Sequence, residues 1–382
     1  MHYVVKAKEY ILKNGEKAPS YLEIKDGKFR GFHSSIPDGL DVLDYSMYTI
    51  APGLFDTHIH GLAGYDVMDG EIEAIHGISK ALASIGVTRF LPTTLTSSNE
   101  SLEQAIVAVE EAVDEGLAGA LSEGIFLEGP YFTEKHKGAQ NPSYFKNPSI
   151  DEFKKWQEMA KGQVVKIALA PEREQTLDFI EAVKDEVQVG IAHSDATFDQ
   201  CTRAVVAGAS NFVHLFNGMS GLHHREPGVV GAAFIHKGTT AELICDGHHI
   251  HPEVATLAAT IKEDRLVLIS DSMRAALMPD GDYSLGEFPV TIENGIARTN
   301  TGSLAGSTLK LIDGVKNLQR WSGFPLHKVW HLASLSAAKS VGKEDHLGSI
   351  SVGKEADFVV LDNQLNVVAT VVAGKIVYER EK

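Results

Sequence analysis

From Thr49 to Ser272, short continuous apolar runs alternate with stretches of helical period. The runs are "TIAPGLFDTHIH", "GVTRFLPTT", "GIFLEGP", "VVKIALAPE", "VQVGIAHSD", "SNFVHLFN", "AELICDGHH" and "RLVLISDS". Between most of them lie patterns such as "EIEAIHGISKALASIG" and "LEQAIVAVEEAVDEG", with apolar residues three and four apart. A run that is apolar throughout suits a strand covered on both faces. Eight such runs, alternating with helices, predict an α/β fold, a closed (β/α)8 TIM-like barrel. An open doubly wound sheet is the competing arrangement, but no dinucleotide glycine fingerprint is present.

The two ends of the chain read differently. "YVVKAKEYIL", "YLEIKDGKF" and "LDVLDYSMYTI" are alternating or β-branched segments around Asn-Gly and Asp-Gly turns. "GSISVGKEADFVVLD" and "VVATVVAGKIVYE" repeat that character near the C-terminus. Residues 1–51 and 346–382 are therefore expected to pair into one small β-sandwich domain, with the barrel over 52–345. A β-hairpin insertion is expected near 281–302, where "GDYSLGEFPVTIENGIARTNTG" carries an Asn-Gly turn.

Composition narrows the partners. The net charge of −16 disfavours nucleic acid or an anionic membrane as the main partner. Hydrophobic content of 43% is ordinary for a globular chain, and no run is long and apolar enough to span a bilayer. The only cysteines, Cys201 and Cys245, stand in no redox or metal spacing. With no signal-peptide core, the expected setting is reduced and cytoplasmic.

The candidate chemistry sits where the apolar runs end. The first ends in His58 and His60, the third in Glu128, the fifth in His193 and the sixth in His214. The seventh leads to Asp246, His248 and His249, and the eighth ends in Asp271. In a barrel these points share the C-terminal rim, where active sites are built. His58 and His60, two apart on a strand, face the same side. A lone His-x-His or a lone His193 reads better as a hydrogen-bonded structural feature. Carboxylates inside a barrel are costly unless paired or metal-bound. Five runs ending in ligand types favour a nitrogen/oxygen site for a divalent metal. Zinc is the default ion, and iron, manganese or cobalt fit the same donors. His2, His33, His76, His327, His331 and His346 are expected at the surface or in packing.

At these residues the chain resembles a known family. "PGLFDTHIHG" is similar to the metal motif of the amidohydrolase superfamily. "LEGPYF", "KGAQNP", "HLFNGMS", "REPG", "CDGHHIHP", "SDSM" and "GSLAGS" together resemble N-acetylglucosamine-6-phosphate deacetylases over essentially the whole chain. The resemblance implies that Glu128, His193 and His214 hold a principal metal and that His58 and His60 hold a second, bridged by Glu128. It implies Asp271 as the acid/base. It places Asn217, the Gly218 backbone, Arg225 and His249 at the sugar phosphate, and Leu304 and Ala305 at the acetyl pocket. Ala139 and Gln140 belong to the same substrate-binding set. Gln140 is a departure, since other members often carry histidine there near the phosphate. Alone, Arg225 beside Glu226 would read as a surface ion pair; the resemblance reverses that.

The implied reaction is metal-dependent hydrolysis of N-acetyl-D-glucosamine 6-phosphate to D-glucosamine 6-phosphate and acetate, in amino-sugar catabolism and cell-wall sugar recycling. Asp271 moves the proton, and the metal or His249 stabilises the oxyanion. The implied assembly is a homodimer. The galactosamine epimer, another amidohydrolase substrate and a barrel without catalysis are the alternatives. Cyclic-substrate members commonly use a carboxylated lysine, which Glu128 at the third run disfavours. The intact candidate residues disfavour a non-catalytic barrel.

Overall fold

The computed structural model describes residues 1–17 and 20–381 of the chain. Eight parallel strands form the central ring: Leu54–Ile59 (β1), Val87–Thr94 (β2), Ile125–Tyr131 (β3), Val164–Leu169 (β4), Gln188–Ile191 (β5), Asn211–Phe212 (β6), Thr240–Ile244 (β7) and Leu266–Ile269 (β8). Each pairs in parallel with the next. The ring closes just beyond β8, where Ile59 bridges Ser272. There the Asp271 N–H donates to His58 O and the His60 N–H to Ser272 O, both at 2.9 Å. The (β/α)8 expectation holds.

Helices cover the outside. Asn99–Glu115, between β2 and β3, buries Leu102, Ala105, Ile106, Val109 and Ala112 at three- and four-residue spacing. Its start is fixed by Ser98, whose Oγ accepts the Ser101 N–H. Phe198–Ala207, after β5, opens on a reciprocal capping box between Thr197 and Gln200. Among the described residues no helix is long and apolar enough to cross a membrane.

Both chain ends join one continuous sheet. Its path runs from Lys375–Glu379 through Val367–Val372, Phe358–Leu361, Asp41–Pro52 and His2–Leu12 to Tyr21–Lys25 and Lys28–His33. Buried side chains from both ends, among them Val5, Ile24, Phe358 and Val371, share one apolar cluster. Arg89 of β2 ties this sheet to the barrel. It lies buried between Asp357, reached by Nε at 2.6 Å, and Glu123, reached by Nη1 at 2.7 Å.

Three expectations are adjusted. The first apolar run is two strands, because Thr49–Pro52 pairs with the terminal sheet and only Leu54 onward enters the barrel. The insertion is a three-stranded antiparallel sheet, Gly281–Leu285, Phe288–Glu293 and Ile296–Thr299, not a two-stranded hairpin. The Asn294-Gly295 turn forms as expected, and the extra strand is Gly281–Leu285, which pairs with Phe288–Glu293 across a tight turn at Gly286-Glu287, where Gly286 has positive φ. The sixth run contributes only Asn211–Phe212 to the ladder, and its remainder turns so that His214 faces the rim.

Candidate metal centre

The six residues at the strand ends meet. Two sets lie with their ligand atoms within 4.8 Å of one another: His58, His60 and Asp271, and Glu128, His193 and His214. All six are buried. Glu128 stands between the sets. Its Oε1 is 3.1 Å from His214 Nε2 and 3.4 Å from His193 Nε2. Its Oε2 is 3.4 Å from His60 Nε2. Asp271 Oδ1 lies 3.2 Å from His60 Nε2 and 3.5 Å from His58 Nε2.

Each imidazole presents Nε2 because its Nδ1–H is committed elsewhere. His60 donates to Thr93 O at 3.1 Å, His193 to His136 O at 2.9 Å and His214 to Asn217 O at 3.0 Å. His58 donates to the carboxylate of Glu242 at 3.3 Å. Such outer partners fix the tautomer and aim the ligand nitrogen. The Nε2 atoms stand 3.2 Å apart in each pair, His58 with His60 and His193 with His214. That matches the separation of about 3.3 Å between two nitrogens held tetrahedrally at about 2.05 Å from one ion.

The electrostatics also ask for positive charge. Burial pushes the Glu128 carboxyl up, but the imidazoles, His58 foremost, outweigh it and hold it well below the usual carboxylate range. Burial raises Asp271 too, and His58 and His60 overcome it, bringing it down to about 2. Burial disfavours charge on His60, yet Asp271 and Glu128 lift it well above its ordinary value. Without metal, protons supply the charge; with metal, the same donors suit a divalent ion. The donor set of imidazoles and carboxylates fits.

Backbone strain marks the same positions. His193, His214 and Asp271 have φ of 43°, 33° and 49°, in the left-handed region that side-chain-bearing residues rarely occupy. Strain of about 1–3 kcal/mol at each, held by the surrounding structure, is typical of functional sites. Asp271 is pinned by Ser307, whose N–H donates to its carbonyl at 2.7 Å.

A cavity of about 320 Å³ opens over the centre. Ala139, Gln140, Asn217, Gly218, His249 and Leu304 line it with His60, Glu128, His193, His214 and Asp271. His249 is held by Asp246, which accepts from its backbone N–H at 2.8 Å and from its Nδ1–H at 2.6 Å. Gln140 points inward. Its Nε2 donates to Glu128 Oε2 at 2.6 Å, and its Oε1 accepts the Thr96 N–H at 2.9 Å. The structure thus joins Gln140 to the metal-site carboxylate. Three predicted residues are outside the cavity wall, and of these His58 is fully buried beneath it. Ala305 is fully buried in an apolar cluster with Met273 and Leu285. Arg225 is exposed, donating to His224 Nε2 at 2.7 Å, and makes no ion pair with Glu226 among the described residues.

Lys166 and Glu242 were missed in the sequence. Both are buried, with Lys166 Nζ donating to Glu242 Oε1, directly beneath His58. A lysine and a glutamate inside apolar runs were the available signal.

A closed barrel with a two-part histidine–carboxylate centre on its C-terminal rim defines the class. The chain belongs to the amidohydrolase family, whose profile, described as Amidohydrolase family, matches residues 49–377. The chain is 41% identical over 340 residues to the N-acetylglucosamine-6-phosphate deacetylase of Vibrio furnissii, covering 89% of this chain and 85% of that one. It is 38% identical over 377 residues to the N-acetylgalactosamine-6-phosphate deacetylase of Escherichia coli O157:H7, covering 98% and 99%. It superposes with a TM-score of 0.90 on an Asp-to-Ala mutant of N-acetyl-D-glucosamine-6-phosphate deacetylase from Mycobacterium smegmatis in complex with N-acetyl-D-glucosamine-6-phosphate. That pair is 28% identical, with 98% of this chain and 99% of the other covered.

Proposed function

We propose that this chain is a metal-dependent deacetylase of N-acetyl-D-glucosamine 6-phosphate, releasing acetate and D-glucosamine 6-phosphate. One observation carries the reading: Asp271, Glu128 and four aimed imidazoles converge at the floor of a cavity open to a small substrate. The relatives' names support the amino-sugar phosphate as substrate class. A cytoplasmic enzyme of amino-sugar catabolism, working as a homodimer, is the setting we propose.

Glu128, His193 and His214 would hold one divalent ion, and His58 and His60, with Glu128 shared and Asp271 beside them, a second. Zinc suits these donors, as do iron, manganese and cobalt. The bound metal supplies Lewis acidity, making water nucleophilic near neutral pH and polarising the amide carbonyl. Asp271 takes the proton of the attacking water on its carboxylate. It then delivers that proton to the amine nitrogen as the C–N bond breaks, so that no amide anion has to leave. His249, its ring fixed by Asp246, would donate Nε2–H to the substrate oxygen that gains charge, both ring nitrogens then carrying a proton. Gln140 keeps Glu128 oriented. Leu304 shapes the wall against the acetyl methyl, with Ala305 packed behind it. Asn217 and the Gly218 N–H lie at the sugar-phosphate end with Ala139. Arg225, exposed beyond the rim, would meet the phosphate across the proposed dimer.

The galacto epimer is the second reading, favoured by the 38% identity to an enzyme of that name. Acetate release from the gluco and galacto 6-phosphates, compared by kcat/KM, tests both. The proposal expects the gluco substrate to lead. A lead for the galacto substrate would replace it with the second reading, and no release from either would reject the deacetylase function.

A further inference from the structure

Below the metal centre lies a group of buried charges that the proposed chemistry does not use. Lys166 of β4 and Glu242 of β7 are buried to 2% and 0% exposure. These strands are not neighbours, so their side chains meet through the barrel interior. Lys166 Nζ donates to Glu242 Oε1 and sits 3.9 Å from the centroid of the Phe126 ring. Phe126 also packs edge-on against His58, with centroids 4.9 Å apart. The other oxygen of Glu242 accepts the His58 Nδ1–H at 3.3 Å. The four side chains form one chain of contacts: ammonium, carboxylate, imidazole, and the aromatic face that closes the side.

A buried ion pair gives a fold little that apolar side chains of equal volume would not. What this pair adds is a charged acceptor for one particular nitrogen. The other three imidazoles of the centre donate Nδ1–H to neutral backbone carbonyls. Only His58 is backed by a carboxylate, and that carboxylate is itself oriented by a lysine. A carboxylate behind a ligating histidine raises its basicity more than a carbonyl does.

We propose that Lys166 and Glu242 are positioning residues for the second metal, and that the pair decides whether the His58–His60–Asp271 half of the centre fills. The inference rests on the metal-centre reading and not on the identity of the sugar. The Glu128–His193–His214 half has no such support and fills independently of it.

The test counts ions. Metal-stripped protein is equilibrated against rising free zinc, and bound zinc per chain is measured by elemental analysis. Wild type takes up two ions. Glu242→Gln keeps the first unchanged and needs about 10–100-fold more free zinc for the second, the usual effect of losing an outer-shell partner. Its melting transition is recorded beside the count. If Glu242→Gln does not fold, the double substitution Lys166→Met with Glu242→Leu removes both buried charges together and shows the same selective loss. Unchanged affinity for the second ion in the folded variant overturns the proposal, as does a wild type that saturates at one ion. Acetate release run in parallel separates the two ideas: its absence from wild type rejects the substrate reading, while the zinc counts still decide this one.

Discussion

Gln140 donates its side-chain amide to Glu128 Oε2 at 2.6 Å, joining the loop after β3 to the carboxylate that stands between both halves of the metal centre. The same side chain accepts the Thr96 N–H, so its orientation is fixed at both ends. Gln140→Leu leaves the buried Thr96 N–H unpaired and removes the amide that orients Glu128 Oε2. Zinc affinity is expected to fall about 10–100-fold, with a parallel loss of kcat. Equilibrium dialysis against zinc, with acetate release alongside, checks this. An effect on KM alone would instead mean that Gln140 serves the substrate.

Asp271→Asn keeps the shape of the side chain but removes the proton carrier. The kcat for acetate release is expected to drop by about 10²–10⁴-fold. The ion held by Glu128, His193 and His214 is expected to stay, since none of these residues changes. Steady-state kinetics and zinc content of the same preparation check both parts.

Asp56 provides a pH dependence with a definite sign. Its Oδ1 accepts from the backbone N–H of Ser270 at 3.2 Å and of His58 at 3.4 Å, in full burial. Burial raises its carboxyl to about 7, above the value of about 3.9 in the unfolded chain. Between those values the folded state holds a proton that the unfolded state releases. Its contribution to stability is therefore fully present below about pH 4 and is lost as pH rises to about 7, with a slope of at most about 1.4 kcal/mol per pH unit. Asp56→Asn retains an acceptor for both N–H groups and has no proton to lose. Denaturant titrations of the metal-free protein across this range should show the wild-type slope flattened in the variant. Parallel slopes would remove Asp56 from the pH response.

Arg89 is expected to hold the barrel to the terminal sheet. Arg89→Ala strands the buried Asp357, which among the described residues then keeps only its bond from the Ala373 N–H at 2.8 Å. A loss of about 3–5 kcal/mol is expected from removing one partner of a buried pair. Chemical denaturation measures it, and a change below about 1 kcal/mol would assign the junction to apolar packing alone.

Much of this was legible in the chain because barrel strands are buried on both faces and write themselves as unbroken apolar runs. The polar residues after those runs share one rim by topology, so His58, His60, Glu128, His193, His214 and Asp271 could be grouped before any distance was known. What stayed hidden depends on partners distant in sequence. Lys166 and Glu242 are 76 positions apart and meet only across the closed ring. Gln140 reads as a loop residue facing substrate until the turn of its loop aims it at Glu128. The first apolar run crosses the boundary expected at residues 51 and 52: "TIAP" pairs with Phe358–Leu361 and "LFDTHI" with β2, and only these long-range partners show that the run is two strands.

The central claim is that this histidine–carboxylate centre cleaves an acetamide by means of bound metal. Chelator-stripped protein, supplied with N-acetyl-D-glucosamine 6-phosphate and then titrated with zinc, tests it most directly. Acetate release should be absent before zinc, rise as the centre fills, and fail to rise in Asp271→Asn. Full-rate release from the stripped protein, or none after zinc has bound, would contradict it.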